Sequence, residues 1–362
     1  MTLRSGERQL HLHFVVPGDL DQLTGGYIYD RRIVGELRKL NVEVSVHALR
    51  GTFPMVDDIA RRDGERFAEA VPLGATVVVD GLALPALYDH ADALGRRTQL
   101  MALVHHPLFL ERDLSLPERQ RIAEQEAQAL SHCAGVLVPS ARTRSDVAAL
   151  GIAETMIGVV EPGLETPSSA PRGRHSGNGG PLNLLCVGTI IERKGHVDLI
   201  EALSLLRDRP WQLDCVGSLD RDPPALASLR AALASTGLAA RVQLHGEVSP
   251  ETLDRLYSRA DLFVLTSRHE GYGMALAEAM SYGIPVVSTC AGAIPHTVPE
   301  GAGILVPPGD IGAIADALRQ LMNDTAKRHA MGRAARAVRR HSWPEAARRF
   351  IEAIESVGGR TG

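Results

Sequence analysis

The stretch Ser267-Arg268-His269-Glu270-Gly271-Tyr272-Gly273-Met274-Ala275-Leu276-Ala277-Glu278-Ala279-Met280 lies between two apolar runs, DLFVLTS (261–267) and IPVVST (284–289). Runs of this kind, bounded by turn residues, read as strands buried on both faces. Two glycines followed by strong helix formers predict a loop that opens into a helix near Met274. Strand, loop, helix, strand is one β/α unit of a parallel sheet. The helix N-terminus then points its unpaired N–H groups outward from the carboxyl end of a strand, where open α/β sheets bind ligands and where a diphosphate fits.

The same unit recurs on both sides. LNLLCVG (182–188), WQLDCVG (211–217), RVQLHGEV (241–248) and GILVPP (303–308) complete one series with helices expected at His196–Leu206 and Ser249–Tyr257. LHLHFVV (10–16), VEVSVHAL (42–49), ATVVVDGL (75–82), LMALVHH (100–106) and AGVLVPS (134–140) form an earlier series, with a first helix near Tyr27–Leu40. Between the two, TPSSAPRGRHSGNGGP has almost nothing to fill a core and much that breaks regular structure. The expected organisation is therefore an α/β domain over residues 1–165, a linker over 166–181, a second α/β domain over 182–341, and a last helix over 342–362 opened by Ser342, Trp343, Pro344 and Glu345.

With 362 residues the chain exceeds one ordinary core, which fits two domains. Composition is 44% hydrophobic, 23% charged and only 4% aromatic, so the apolar mass is aliphatic, as buried parallel strands require. A formal net charge of −4 gives no reason to expect a nucleic-acid partner. Arg336, Arg339 and Arg340 read as a solvated helix face. The four cysteines show no C-x-x-C pair and read as buried thiols of a reducing compartment. The beginning of the chain lacks a long apolar leader and no run is long enough for a membrane span, so the expected location is cytoplasmic.

Glu270 falls in the loop and Glu278 about one turn inside the helix, so the two carboxylates are set for different tasks. A carboxylate accepts two hydroxyl hydrogen bonds, which suits a ribose or sugar diol. Spacing alone equally allows a surface loop residue and a helix-favouring acid. The pair within EGYGMALAEAMSYGIPVV resembles the E-x7-E signature of the retaining glycosyltransferase family 4, the glycosyl transferases group 1, whose members have the GT-B fold. That resemblance implies two Rossmann-like domains facing each other across a cleft, with a C-terminal helix crossing back to the first. It implies retaining transfer of a hexose-like sugar from a UDP-, GDP- or ADP-sugar to a hydroxyl of a glycan, lipid or small molecule, with no metal and no cofactor required. Glu270 then lies by the transferred sugar and Glu278 holds the donor ribose. Gly271, Tyr272, Gly273, Met274 and Ala275 form the loop and helix start against the diphosphate.

Cys186 to His196, CVGTIIERKGH, resembles the family's phosphate-binding segment, which assigns Gly188 and Lys194 to the donor. A cation about 4 Å from a phosphate is worth on the order of a few kcal/mol at an effective dielectric near 20. The attraction grows as the departing diphosphate gains charge. Many members carry an arginine just after the glycine, where this chain has Thr189; Arg193 is the candidate replacement. Gly25 and Gly26 resemble the Gly-Gly loop after the first strand, where backbone approaches the donor. The family often places a histidine at the end of a strand facing the sugar; His105 aligns with it, and His106 nearly as well. Val248 resembles the position beside the nucleobase. Asp19-Leu20-Asp21 and Asp220-Arg221-Asp222 are too short to argue for a metal.

Residues 1–165 carry 17 Lys and Arg against 23 Asp and Glu, which disfavours a strongly anionic membrane as docking surface. Peripheral docking at the inner face of a membrane stays open, with Leu108, Phe109, Leu110, Leu114 and Leu116 as an apolar lip. Two rival readings share the architecture, a nucleotide-sugar epimerase and a non-catalytic two-domain sugar-binding protein. A nicotinamide dehydrogenase is weaker, because neither glycine-rich turn reads as G-x-G-x-x-G followed by an acid about 20 residues on.

Overall fold

The computed structural model describes residues 10–111, 114–167 and 180–358. Residues 168–179 of the expected linker and the last four of the final helix segment lie outside them. The chain divides into one unit made of residues 1–163 with 341–362 and a second made of 164–340. Among the described residues each unit is built on a six-stranded parallel sheet.

In the first unit the strands are β1 (His11–Pro17), β2 (Glu43–Leu49), β3 (Thr76–Asp80), β4 (Gln99–Leu103), β5 (Gly135–Val138) and β6 (Ile157–Val159), in the order β2-β1-β3-β4-β5-β6. β3 and β5 are buried along their whole length, as expected for strands covered on both faces. One face packs Val15, Phe67, Val77, Val79 and Leu84 into a continuous apolar cluster. The other is covered by helix Gly25–Lys39 and by the final helix, Trp343–Gly358, through the stacked rings of Phe14 and Phe350 and the edge contact of Tyr29 with Trp343. Ser342 opens that last helix, its N–H donating to Glu345 Oε2 at 2.8 Å. Helix Gly25–Lys39 starts two residues before the expected Tyr27, because both glycines adopt helical backbone directly after the extended Thr24.

In the second unit β7 (Leu182–Val187), β8 (Trp211–Val216), β9 (Val242–Leu244), β10 (Leu262–Leu265), β11 (Val286–Thr289) and β12 (Gly303–Val306) are ordered β12-β11-β10-β7-β8-β9. Helices His196–Ser204, Pro250–Arg259 and Met274–Ser281 follow β7, β9 and β10. The strand order reverses between β1 and β3 in the first unit and between β7 and β10 in the second. Such switch points open a crevice at the carboxyl ends of the two flanking strands. The glycines of the first unit follow β1. Lys194 follows β7 and Glu270 follows β10, so the second unit's candidate residues straddle its switch point.

Two readings of side-chain placement are corrected. Cys133, Cys186 and Cys215 are buried, but Cys290 is exposed, because it leaves the end of β11 rather than continuing it. Arg340 is not on a solvated helix face: the helix before it ends at Ala337, and its guanidinium donates to Tyr272 Oη at 3.2 Å and to the Thr297 carbonyl.

Candidate active site

Gly188 directly follows β7, and a Cβ built there would meet Lys194 Cδ at 3.5 Å, so the lysine stem lies across the missing side chain. The intervening loop closes in a single turn of 3-10 helix, Glu192–Lys194, terminated by Gly195 in the left-handed region at φ +69. A Cβ at Gly195 would sit 2.2 Å from the Thr266 carbonyl, so both the backbone angle and the close approach demand glycine. Helix His196–Ser204 starts at once from that residue. The turn thereby sends Lys194 toward the end of β10.

There Lys194 Nζ donates to Glu270 Oε1 at 2.5 Å, and Ser267 Oγ donates to the same oxygen at 2.6 Å. Arg193 Nη1 lies 4.0 Å from Glu270 Oε2 and donates to the His269 carbonyl at 2.7 Å. The Arg193 carbonyl accepts from Arg268 N–H, which ties the two loops together. Glu270 is 6% exposed and its own carbonyl accepts from Ala293 N–H. Burial alone would raise its carboxyl, but Lys194 first, then Arg193 and Ser267, hold it below the usual range. Burial lowers Lys194, with Glu270 pulling the other way and Arg193 adding to the decrease. The result is a fixed carboxylate next to two cations in a nearly dry loop.

Helix Met274–Ser281 begins as expected, from Gly273 in the left-handed region, and no side chain caps its first turn. Tyr272 is buried; its carbonyl accepts from Thr297 Oγ1 and its hydroxyl meets Arg340, so this ring packs rather than facing the loop opening. Met274 and Ala275 are half-buried at the helix start and Gly271 is half-buried in the loop. Glu278 Oε2 accepts from Tyr257 Oη at 2.9 Å, and Tyr257 stacks on Tyr282. Val248 follows β9, half-buried and packed against the second unit's core, just ahead of Ser249, which caps helix Pro250–Arg259.

In the first unit Gly25 and Gly26 open helix Gly25–Lys39, with open space beside Gly25. A Cβ on Gly26 would meet His105 Cδ2 at 3.2 Å, so the imidazole lies against the bare backbone. His105 Nε2 is 2.8 Å from Asp30 Oδ1 and 3.3 Å from Asp80 Oδ2. His106 turns elsewhere, 3.4 Å from Glu111 Oε1. Of the two histidines, His105 is the one brought to the glycine loop.

Sequence reasoning missed Ser267, Tyr257, Asp30 and Asp80. Asp80 carried a signal, a lone acid ending the buried run TVVVD. Asp30 carried one too, standing one helical turn beyond Gly26 on the same face. Neither Asp-x-Asp triplet joins these groups: Asp222 caps helix Pro223–Thr236 and Asp19 accepts from Asp21 N–H. Of the apolar lip residues, Leu108 is buried and Leu116 is 82% exposed. No helix among the described residues is long and apolar enough to cross a membrane.

Residues 172–338 match the family described as glycosyl transferases group 1. The chain is 31% identical over 229 residues to the GDP-mannose:cellobiosyl-diphosphopolyprenol alpha-mannosyltransferase of Xanthomonas campestris, covering 62% of this chain and 59% of that one. It is 32% identical over 281 residues to the D-inositol 3-phosphate glycosyltransferase of Corynebacterium urealyticum, covering 71% and 64%. The match thus spans less than two thirds of these relatives' own length. Sucrose-phosphate synthase from Thermosynechococcus elongatus superposes with a TM-score of 0.80 at 20% identity, covering 97% of this chain and all of that one. Anabaena HepE, solved with UDP and glucose, gives 0.75 at 18%, covering 95% and 99%. These two likenesses establish the shared fold.

Proposed function

We propose, from the match of residues 172–338 to the glycosyl transferases group 1 family, that the chain is a member and moves a hexose-like sugar from a nucleoside-diphosphate donor to a hydroxyl, with retention at the anomeric carbon. The observation that carries this reading is the contact of Lys194 with Glu270 at the switch point between β7 and β10. A nucleoside diphosphate laid there meets Lys194, Arg193 and the uncapped first turn of helix Met274–Ser281. The side chain absent at Gly188 leaves room for the lysine stem that reaches it. Glu278, steadied by Tyr257, is placed for a ribose diol.

Glycosidic cleavage leaves negative charge on the diphosphate, and the two cations held beside it favour that state over the bound donor. Glu270 Oε1 accepts from both Lys194 and Ser267, so this scheme assigns the carboxylate to positioning rather than to nucleophilic attack. It holds Lys194 in position and offers acceptance to the sugar's hydroxyls. The incoming hydroxyl then attacks from the side the diphosphate leaves, its proton passing to the departing phosphate. The printed names of the relatives include a GDP-mannose donor, a polyprenol-linked glycan and an inositol phosphate. We extend to this chain only the class, a UDP-, GDP- or ADP-sugar donor and a hydroxyl on a glycan, lipid or small molecule. No metal or cofactor is required in this scheme, and the proposed location is the cytoplasm, with peripheral docking at the inner membrane face when the acceptor is a lipid.

Incubation with each donor and a panel of such acceptors, followed by NMR of the product, tests the proposal. An axial donor linkage should give an axial product. Inversion would refute retention, and free nucleoside diphosphate formed with no sugar transferred would favour an epimerase.

A further inference from the structure

The first unit contains a buried ionic cluster that this transfer scheme leaves unused. Asp30 and Asp80 are 1% and 2% exposed, and both direct a carboxylate oxygen at His105 Nε2. Asp80 is itself anchored, its Oδ1 accepting from Leu82 N–H at 2.7 Å. The edge of the His105 ring packs against Tyr29 at 5.0 Å between centroids, and Gly26 closes on Cδ2. Turning the ring over would replace the Nε2 proton by a carbon in front of two buried carboxylates, leaving them unpaired at a cost of several kcal/mol.

We infer that Asp30 and Asp80 are positioning residues that clamp His105 through Nε2–H and leave Nδ1–H as a fixed donor, so that His105 binds substrate without exchanging a proton. The identity of the bound group rests on the transferase reading: it is a hydroxyl or phosphate oxygen of a sugar substrate. The clamp itself does not depend on that reading.

The groups facing the ring are Tyr29 and Asp30 from helix Gly25–Lys39 and Asp80 from the end of β3, while the neighbouring His106 pairs with Glu111 on the loop after β4. Burial opposes the charged ring, but the carboxylates outweigh it and hold His105 up at about 10. Burial also lifts Asp30 to about 7, with His105 opposing and Asp80 adding to the rise. A histidine with an ordinary value near 6.5 exchanges protons at neutral pH, whereas one held this high stays charged through it.

The three ligand atoms lie within 4.8 Å of one another, so a divalent cation is the rival occupant. The 2.8 Å separation favours a hydrogen bond, because two ligands each about 2.1 Å from one tetrahedral metal stand more than 3 Å apart.

The test is histidine-ring NMR of the full chain, labelled on its histidines and treated with EDTA, across pH 5.5–9, with His105 assigned from His105→Gln. The expected result is no titration of His105 in wild type and both ring nitrogens protonated. In Asp80→Asn, or in Asp30→Asn should the first fail to fold, a titration should appear and its midpoint should fall toward about 6.5. Loss of a ring-nitrogen proton from wild-type His105 below about pH 7.5 overturns the inference, whereas a ring shift near pH 7 with both nitrogens still protonated is the titration of Asp30 and supports it. Stoichiometric Zn2+ or Mn2+ binding that shifts the His105 ring overturns it in favour of a metal site. Because the readout uses no nucleotide, a charged His105 in a protein that binds no donor would sink the transferase reading and leave the clamp standing.

Discussion

Lys194 and Glu270 are 76 residues apart in sequence and join at 2.5 Å, Nζ to Oε1, across the gap between the ends of β7 and β10. Both are largely shielded from solvent, with side-chain exposures of 16% and 8%. Neither charge is therefore comfortable without the other, and the pair is already assembled before any ligand arrives. A diphosphate entering this loop would compete with Glu270 for the lysine, so its binding and the placement of Glu270 would be coupled through a single ammonium.

Replacing Lys194 with Ala should weaken binding of the preferred nucleoside diphosphate by roughly 10- to 100-fold, about 1.4–2.8 kcal/mol. It also leaves Glu270 without its nearest cation, so some loss of stability is expected with it. Lys194→Ala combined with Glu270→Gln separates the two effects: melting temperature should recover while nucleotide binding should not. Recovery of both would place the nucleotide elsewhere.

The lowered carboxyl of Glu270 has a defined pH signature. Its folded value lies below the unfolded one, so its contribution to stability is present above the ordinary carboxylate value and is lost as pH falls through the lowered value. Urea unfolding at pH 6 and at pH 3 should show a smaller acid loss in Glu270→Gln than in wild type. Equal losses would mean that Glu270 is not held ionised by its neighbours.

His105 has the opposite sign. Its folded value of about 10 lies above the ordinary 6.5, so its contribution is complete below about pH 6.5 and fades as pH rises toward 10. Thermal melts of wild type between pH 6 and 9.5 should fall more steeply than those of His105→Gln. Parallel slopes would remove the ionic account of the cluster.

Glu278→Gln should weaken nucleoside diphosphates severalfold while barely changing affinity for inorganic pyrophosphate, because the proposed partner of this carboxylate is the ribose. Comparing UDP or GDP with its 2′-deoxy form supplies a second check: the wild-type preference for the ribonucleotide should shrink in the variant. A uniform loss across the ribonucleotide, its 2′-deoxy form and pyrophosphate would instead assign Glu278 to packing against Tyr257 and Tyr282.

Gly195→Ala should disrupt the phosphate-side loop out of proportion to its size. The residue sits at φ +69 with the Thr266 carbonyl 2.2 Å from the position of a Cβ, so the loop must move and Lys194 with it. Circular dichroism should report a retained α/β spectrum with a lowered melting temperature, and nucleotide binding should fall. Unchanged binding would show that Lys194 is positioned independently of the turn.

The fold was legible because buried parallel strands announce themselves as short aliphatic runs such as ATVVVDGL and DLFVLTS, punctuated by glycine-bearing loops. The loops of Lys194 and Glu270 were legible as local motifs, each contained within about a dozen residues. What stayed hidden has a common physical form. Asp30, Asp80 and His105 come from three separate segments and meet only through sheet order, and Ser267 and Tyr257 serve residues that the motif names without belonging to it. Arg340 misled for a related reason: a basic run reads as solvated surface, while its partner, Tyr272, lies 68 residues earlier.

The most direct measurement is calorimetric titration of UDP, GDP and ADP into wild type and Lys194→Ala, each with and without EDTA. The account predicts that wild type binds one of the three clearly best, that EDTA does not change its affinity, and that the variant binds it at least tenfold more weakly. Failure to bind any of the three, or binding that Lys194→Ala leaves untouched, would contradict a donor site at Lys194 and Glu270.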